Sequence, residues 1–364
     1  MTLSPRRPRR VWLWLGIAGS VALVVAVVAA TLGYVLGSSD GQTPKRGDLL
    51  VTMSVVTTTG GPPPAATLER AKQVLLSRLR GAHLDRPAVT VVGPTKVTVS
   101  AGGVTPDQLR MLITLGQLAF RKVLATTPDQ PGNGAPAGCV PAQRNSHGPT
   151  AELAQARDVL GTAYALAEAI QDPSKVDAQM LPLLAPFAKL TCPELDALPV
   201  RMKFNVPTVP CSQLAFLRTF KAGEPDVATD QLVTCGQGSE EHTKFLLDVA
   251  KVQGADLSSA KASYDAVNNN GWNVQLHFTG SGQSKWTALS EEAMQSVAQT
   301  GSGAQVAIVV DGAIQSAPQI QGVITGDAVI SGGMDANSTK TLAALLGYGE
   351  LPVRFVVDAM TAVR

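Results

Sequence analysis

An Asp-Gly pair between two β-prone segments places the firmest constraint on this chain. Residues 306–310, VAIVV, precede Asp311 and Gly312, and residues 313–316, AIQS, follow them. Both central positions of a type I′ turn require positive φ, so Asp-Gly at this place predicts a two-residue β-hairpin. The apolar first run predicts a strand that is buried on both faces. We therefore expect the second half of the chain to be organised around this hairpin.

The N-terminus predicts a membrane anchor. Residues 1–10 carry four arginines and no acid, and residues 11–36 contain no charged residue. About 20 apolar residues span a bilayer, and arginines before the span favour a cytoplasmic N-terminus. A cleaved signal peptide is the alternative, but its apolar core usually has about 7–15 residues. The pattern favours a cytoplasmic tail, an uncleaved transmembrane signal anchor and a short tether over residues 37–47, with the remainder outside the cytoplasm.

Residues 48–124 predict a ferredoxin-like unit with the element order βαββαβ. Its first helix, residues 67–79, is amphipathic, with leucine and alanine on one face and Arg78 outside that face. The second helix, residues 105–116, opens with Thr-Pro-Asp-Gln, which combines an N-cap threonine with a proline at the first helical position. The strands are predicted at residues 48–56, 88–92, 97–100 and 117–124.

The middle of the chain, residues 125–253, predicts a Pro-rich and irregular insertion. Prolines recur between residues 173 and 210, which limits regular structure to short segments. An even number of cysteines outside the cytoplasm predicts two disulfides, in any of three pairings. Zinc is the alternative, but no two cysteines have the close C-x-x-C spacing that favours a metal site. The cysteines are Cys139, Cys192, Cys211 and Cys235.

Residues 254–358 predict a second α+β unit. We expect Asp256 to cap a helix over residues 257–267, and the alternating pattern of residues 272–278 predicts a strand. The other elements, besides the hairpin, are helices at residues 284–298 and 335–346 and strands at residues 327–331 and 351–357.

The residues that usually carry chemistry form no recognisable group. The four histidines are scattered, and His277 alternates with apolar residues, as is typical of a structural histidine. No Gly-x-Ser-x-Gly elbow, phosphate-binding loop or dinucleotide fingerprint occurs. The formal net charge of +2 gives no reason to expect nucleic acid as a partner. We therefore predict no catalytic residue, no cofactor and no metal, in a chain that is not an enzyme.

Five segments of the second unit share a family pattern. They are GADL at 254–257, the strand at 272–278, VAIVVDGAIQSAPQI at 306–320, ITGDAVISGG at 324–333 and LAALLGYGELP at 342–352. Together they resemble SecD, a membrane subunit of the bacterial Sec protein translocase. The resemblance implies that residues 254–358 correspond to the head, and residues 48–124 to the base, of the first extracytoplasmic domain of SecD. It also implies a set of family hairpin residues that are candidate partner contacts: Asp311, Gly312, Ser316, Ala317 and Pro318.

The further membrane helices of a SecD protein have no counterpart in these five segments. SecD continues into several further membrane helices, which use the proton gradient together with a partner subunit. Residues 11–36 contain no ionisable residue, whereas ion pathways need such residues. We therefore expect a single-pass protein of the bacterial cell membrane, with its N-terminus inside, that is not a proton-driven motor by itself.

Three hypotheses of function remain open at this stage. The first is an accessory protein of protein export whose partners are other membrane proteins or exported proteins, bound by strand addition to an open sheet edge. The second is a structural subunit of another cell-envelope complex, since a fold does not determine a function. The third is a module that binds envelope lipid or glycan in an apolar pocket. Homo-oligomerisation and the role of the insertion are left open, although a cross-linked insertion is a natural place for partner specificity.

Overall fold

The computed structural model describes residues 44–56, 62–129, 138–145, 147–221, 224, 226–236, 242–266, 271–300 and 304–363. The predicted cytoplasmic tail, the signal anchor and residues 37–43 of the tether lie outside this part of the chain. Within the described ranges, no helix combines the length and the apolar character that a membrane-spanning segment needs. The mixed α+β class is confirmed, since helices and antiparallel sheets alternate along the chain.

The elements are numbered here in chain order. The strands are β1 (Leu49–Val56), β2 (Asp85–Val91), β3 (Lys96–Gly102), β4 (Leu118–Pro128), β5 (Leu232–Cys235), β6 (Thr243–Gln253), β7 (Leu257–Asp265), β8 (Gly271–Phe278), β9 (Val306–Val310), β10 (Ala313–Ser316), β11 (Ala328–Met334) and β12 (Arg354–Ala362). The α-helices are α1 (Ala65–Gly81), α2 (Pro106–Leu112), α3 (Pro149–Leu160), α4 (Thr162–Ala169), α5 (Cys192–Ala197), α6 (Val200–Asn205), α7 (Cys211–Phe220), α8 (Gly280–Thr300) and α9 (Ala336–Gly347). Short 3₁₀ helices occupy Pro173–Lys175, Leu181–Lys189 and Gly254–Asp256.

The first sheet has the strand order β12–β1–β3–β2, and every neighbouring pair is antiparallel. The predicted βαββαβ order assigns the edge beside β1 to residues 117–124. That assignment is wrong, because β4 pairs with β6 and β9 in a different sheet and β12 occupies the edge. The four-stranded sheet therefore takes its last strand from the far end of the chain.

Two separate hydrophobic cores explain why β12, and not β4, pairs with β1. Under the four-stranded sheet, Val51 of β1 and Leu75 of α1 are fully buried, and Phe355 of β12 belongs to the same cluster. The fully buried Phe120 of β4 instead packs against Trp286 of α8, with ring centroids 5.2 Å apart. Each strand thus buries its apolar side chains in a separate core, and burial of that area stabilises both pairings.

The second sheet has the order β10–β9–β4–β6–β5. The predicted hairpin is confirmed, since Ala313 pairs with Val310 and the turn residues Asp311 and Gly312 have φ of 49° and 73°. All residues of β9 are buried, as expected for a strand that is covered on both faces. β6 is a long regular strand inside the region predicted to be irregular, so that prediction is wrong for residues 243–253.

The third sheet has the order β11–β8–β7. The predicted helix over residues 257–267 is wrong, because Leu257–Asp265 form a strand antiparallel to β8. Ala260 pairs with Leu276 and packs against the core, whereas Lys261, the next residue, is exposed. This period of two, together with pairing to β8, outweighs the helix propensity of alanine and lysine.

The larger part of the predicted insertion folds as a helical unit. Helices α3 to α7 share one buried core with β5 and β6. Disulfides join Cys139 to Cys192 and Cys211 to Cys235, so the prediction of two disulfides is confirmed. Of the three pairings, the structure has the one that joins the cysteines in sequence order. The division of the chain into domains stays a prediction.

Candidate functional site

The turn of the β9–β10 hairpin lies where several parts of the molecule meet. The Asp311 carboxylate accepts hydrogen bonds from the backbone N–H groups of Gly116 and Gln117, at 3.0 and 2.9 Å. The hydroxyl of Thr234, on β5, donates to the carbonyl of Gly312 at 2.9 Å. The turn therefore holds both the segment that leads from α2 into β4 and the edge strand of the five-stranded sheet.

Arg78 of α1 lies close to this turn and is fully buried. A guanidinium carries five donors in a rigid geometry, so one side chain can satisfy several carbonyl oxygens. Burial lowers the pKa of Arg78 to about 10, while the charges of Asp311 and Glu350 act in the opposite direction. Arg78 therefore stays charged at neutral pH. It donates to the backbone carbonyls of Leu112 (2.9 Å), Thr114 (2.6 Å), Leu115 (2.7 Å) and Gly349 (2.6 Å).

Two linking segments run side by side at this point: one leads from α2 to β4, out of the four-stranded sheet, and the other leads from α9 into β12 of that sheet. The N–H of Leu351, which precedes β12, donates to the carbonyl of Leu115, which follows α2, at 2.9 Å. Burial and the neighbouring Asp311 raise the pKa of Glu350, against the opposite effects of Gln117 and Arg78. We call the polar side chains that hold these segments the junction: Arg78, Gln117, Asp311 and Glu350.

A cleft of about 1280 Å³ opens beside the junction. It is lined by Arg110 and Met111 of α2, by residues 113–115 after that helix, by α9, by α6 and α7 of the helical unit, and by the hairpin turn. Met111 and Val227 line it with 37% and 53% of their surface exposed. Pockets for drug-sized ligands measure about 300–1,000 Å³, so this cleft is large enough for a longer ligand.

Arg218 of α7 brings a guanidinium into the cleft next to the turn. Its Cδ atom lies 3.5 Å from the position that a Cβ atom on Gly312 would occupy. Burial lowers the pKa of Arg218, and the charge of Asp311 acts in the opposite direction. Within the described residues, no acceptor forms a hydrogen bond or ion pair with the guanidinium of Arg218, which is part of the cleft lining.

Several other charges of the cleft are paired with one another. Asp196 accepts hydrogen bonds from Arg144 and Lys221, at 3.0 Å each, and its backbone carbonyl accepts one from Lys203 at 2.8 Å. Burial acts to raise the pKa of Asp196, but these three cations lower it overall. Across the described part of the chain, no group of three or more histidine, cysteine, aspartate or glutamate side chains is arranged to hold a metal ion.

The structure separates the five predicted contact residues into two groups. Asp311 and Gly312 line the cleft, whereas Ser316 ends β10 and Ala317 and Pro318 follow it, all outside the cleft lining. The Asp311 carboxylate is already engaged by backbone N–H groups, so it holds the fold at the turn. A contact of these residues with a partner stays a prediction.

The sequence analysis missed both arginines of this region. The prediction that Arg78 lies outside the apolar face of α1 is wrong, since the residue is fully buried. It follows Ala71 by seven positions and Leu75 by three, a spacing that puts all three side chains on one helix face. That spacing is the signal that identifies Arg78. Arg218 has no such signal, because its place in the cleft depends on how the helical unit packs against the hairpin.

Residues 230–353 match the family model of the SecDF P1 head subdomain. The SecD resemblance of this region is confirmed. The matched residues run from just before β5 to the end of α9 and on to Val353, and they include the hairpin turn. Arg218 and helices α3 to α7 lie outside residues 230–353, which we call the SecD-matched residues.

SecD proteins of several bacteria are similar to this chain. The protein translocase subunit SecD of Streptomyces coelicolor is 34% identical over 145 residues, which cover 39% of this chain and 25% of that protein. SecD of Elusimicrobium minutum is 38% identical over 111 residues, 30% of this chain and 21% of that protein. The chain thus spans about a quarter of the length of these relatives. A crystal structure of SecDF in a super-membrane-facing form covers 95% of this chain, and 35% of its own, at 19% identity and a TM-score of 0.44.

Proposed function

We propose that this chain is a membrane-anchored, extracytoplasmic and non-enzymatic accessory protein of protein translocation, which binds polypeptide partners. The observation that carries the proposal is the match of residues 230–353 to the SecDF P1 head. The similarity to proteins named as SecD subunits of protein translocases supports the same role. The hairpin turn of the matched region lines a cleft larger than a small-molecule pocket, which supports binding of a polypeptide there.

Two features support the proposed location. Disulfides form and persist in oxidising compartments outside the cytoplasm, and this chain has two of them. The arginines of residues 1–10 precede an apolar segment that is long enough to span a bilayer, which favours an N-terminus in the cytoplasm. Together they support a bacterial cell-membrane protein with most of its chain on the extracytoplasmic side.

Site-specific photocrosslinking in native membranes tests this function. A photoreactive residue is placed in the full-length chain at Met111, Val227 or Gln315, all of which line the cleft. An exported reporter protein is then halted during translocation by a stably folded C-terminal domain. We expect crosslinks to the reporter while it is halted, and their loss when its signal sequence is deleted.

Two exposed positions outside the cleft lining serve as controls. Val159 of α3 and Tyr264 of β7 expose 44% and 57% of their surface, so a photoreactive residue there reports non-specific contact. Crosslinks to one resident envelope protein at all cleft positions, with none to the reporter, would replace the proposal by a docking role in another complex. Crosslinks to lipid alone would replace it by a lipid-binding role.

A further inference from the structure

We propose that the cleft binds an extended polypeptide segment with an acidic side chain, and that Arg218 pairs with the carboxylate of that segment. This inference rests on the proposed function and adds a preference for one class of sequence. It also assigns a role to the helical unit, which supplies Arg218 and which the SecD-matched residues do not include.

Most of the cations that line the cleft are engaged by other groups of the chain. Arg144, Lys203 and Lys221 are engaged with Asp196, and Arg110 pairs with Asp107 at 2.8 Å. Arg354 also has an interaction partner. Arg218 is the lining cation that lacks an acceptor within the described residues. A guanidinium in partly desolvated surroundings binds a carboxylate strongly, by two parallel hydrogen bonds.

Two acids of the cleft lining, Asp311 and Asp226, are engaged by other groups. The two oxygens of Asp311 accept the N–H groups of Gly116 and Gln117, and Asp226 pairs with the buried Arg121 at 2.8 Å. Asp230 and Glu224 line the cleft as well, but both are exposed to solvent, where their repulsion of an acidic ligand is screened. Asp311 keeps its negative charge, but its oxygens are occupied by these N–H groups, so the guanidinium donors of Arg218 are available to an anionic ligand.

Exposed apolar side chains also line the cleft. Met111 and Val227 line the cleft and are exposed, so they offer apolar contacts to other side chains of a bound segment. An apolar segment with one acidic residue fits this combination better than a basic or a purely polar segment.

Fluorescence anisotropy with defined peptides tests the inference. The probes are fluorescein-labelled peptides of alternating valine and serine with one central glutamate, and their glutamine and lysine counterparts. Each is titrated with the full-length protein in mild detergent. We expect the glutamate peptide to bind at least about tenfold more tightly than the lysine peptide, a difference of about 1.4 kcal/mol.

Variants of Arg218 identify the group responsible. Arg218→Gln should reduce the preference for glutamate over glutamine to near unity while leaving the affinity for the glutamine peptide unchanged. Arg218→Lys should retain part of the preference, because it keeps the charge but not the two parallel donors. Arg201→Gln, an exposed arginine of α6 outside the cleft lining, is the matched control and should bind like the wild type.

The outcomes separate this inference from the proposed function. If the crosslinks to the halted reporter form but the three peptides bind alike, the acidic preference is wrong and the translocation role stands. Equal losses in Arg218→Gln and Arg201→Gln would also overturn the inference. If no peptide binds and no crosslink forms, both are wrong. Circular dichroism and the urea midpoint of each variant show that it is folded.

Discussion

The carboxylate of Asp311 accepts the backbone N–H of Gly116 at 3.0 Å, although 195 residues separate the two in the chain. Asp311 is also the first residue of the hairpin turn, with φ of 49°. One side chain thus closes the turn of the SecD-matched region and holds the segment that leaves the four-stranded sheet. The stability of this contact is open to direct measurement.

Replacing Asp311 by asparagine should lower the free energy of unfolding by about 2 kcal/mol. Asparagine tolerates positive φ and has a similar volume, so the turn is preserved. It loses the negative charge and one of the two acceptor oxygens, and hydrogen bonds to charged groups contribute about 1.5–3 kcal/mol. The measurement is the urea midpoint of the full-length protein. Glu291→Gln, an exposed change on α8, is the control and should leave the midpoint unchanged.

Replacing Arg78 by lysine should destabilise the junction more strongly. Lysine keeps the charge but has a single nitrogen, so it cannot reach the carbonyls of both linking segments. Buried carbonyls then lose their donors, and a buried charge loses its partners, which typically costs about 3–5 kcal/mol. We expect faster hydrogen exchange of the Leu351 amide, which donates to Leu115. Arg80→Lys, at an exposed position of the same helix, should exchange like the wild type.

The sequence predicts local structure well where one pattern dominates. The Asp311–Gly312 turn, the amphipathic α1 and the capped start of α2 form as expected, because turn chemistry, capping and periodicity act over a few residues. The wrong prediction of a helix in place of β7 also concerns a choice between two local backbone conformations. The alanines and serines of β7 suit a helix as well as a strand, and only pairing with β8 decides between them.

Which strands pair with one another could not be predicted from the sequence, for a different reason. β4 and β12 each contain a short apolar segment, and from the sequence either could complete the four-stranded sheet beside β1. The choice depends on which core each strand fills, as Phe120 and Phe355 show. The cleft follows from that choice, since it lies between elements that are far apart in the chain. Neither the position of Arg218 nor the contacts of Asp311 can be found from spacing alone.

Removing either disulfide should destabilise the helical unit to a similar extent. In the chain-entropy account, a bridge over 53 residues contributes about 4 kcal/mol and one over 24 residues about 3.5 kcal/mol. We therefore expect Cys139→Ala/Cys192→Ala to lower the urea midpoint slightly more than Cys211→Ala/Cys235→Ala. Reduction of the wild type by dithiothreitol should approach the effect of all four changes. A midpoint unaffected by reduction would show that the bridges contribute nothing to stability.

The stability of the chain should rise with pH above about pH 8 because of a buried lysine. Lys244 of β6 is 2% exposed, and its ammonium donates to carbonyls at the end of α6, at 3.1 Å to Val206. Burial lowers its pKa from 10.5 to about 8, while Asp129 acts in the opposite direction. Below pH 8 Lys244 is protonated in both the folded and the unfolded chain, so it does not make the free energy of unfolding depend on pH. Between pH 8 and 10.5 the unfolded chain binds more protons than the folded one, so the free energy of unfolding rises with pH.

The variant Lys244→Met isolates this effect. One such group can raise the free energy of unfolding by at most about 1.4 kcal/mol per pH unit. Lys244→Met lacks this contribution. Urea unfolding at a series of pH values from neutral to about 10 should therefore show the wild type gaining stability relative to Lys244→Met above pH 8. Burial also lowers the pKa of Lys203 to about 8, so Lys244→Met should keep part of the rise and the double variant Lys203→Met/Lys244→Met should lose most of it. Parallel curves for the wild type and Lys244→Met would contradict the lowered pKa, because only a group that titrates differently in the two states can produce the difference.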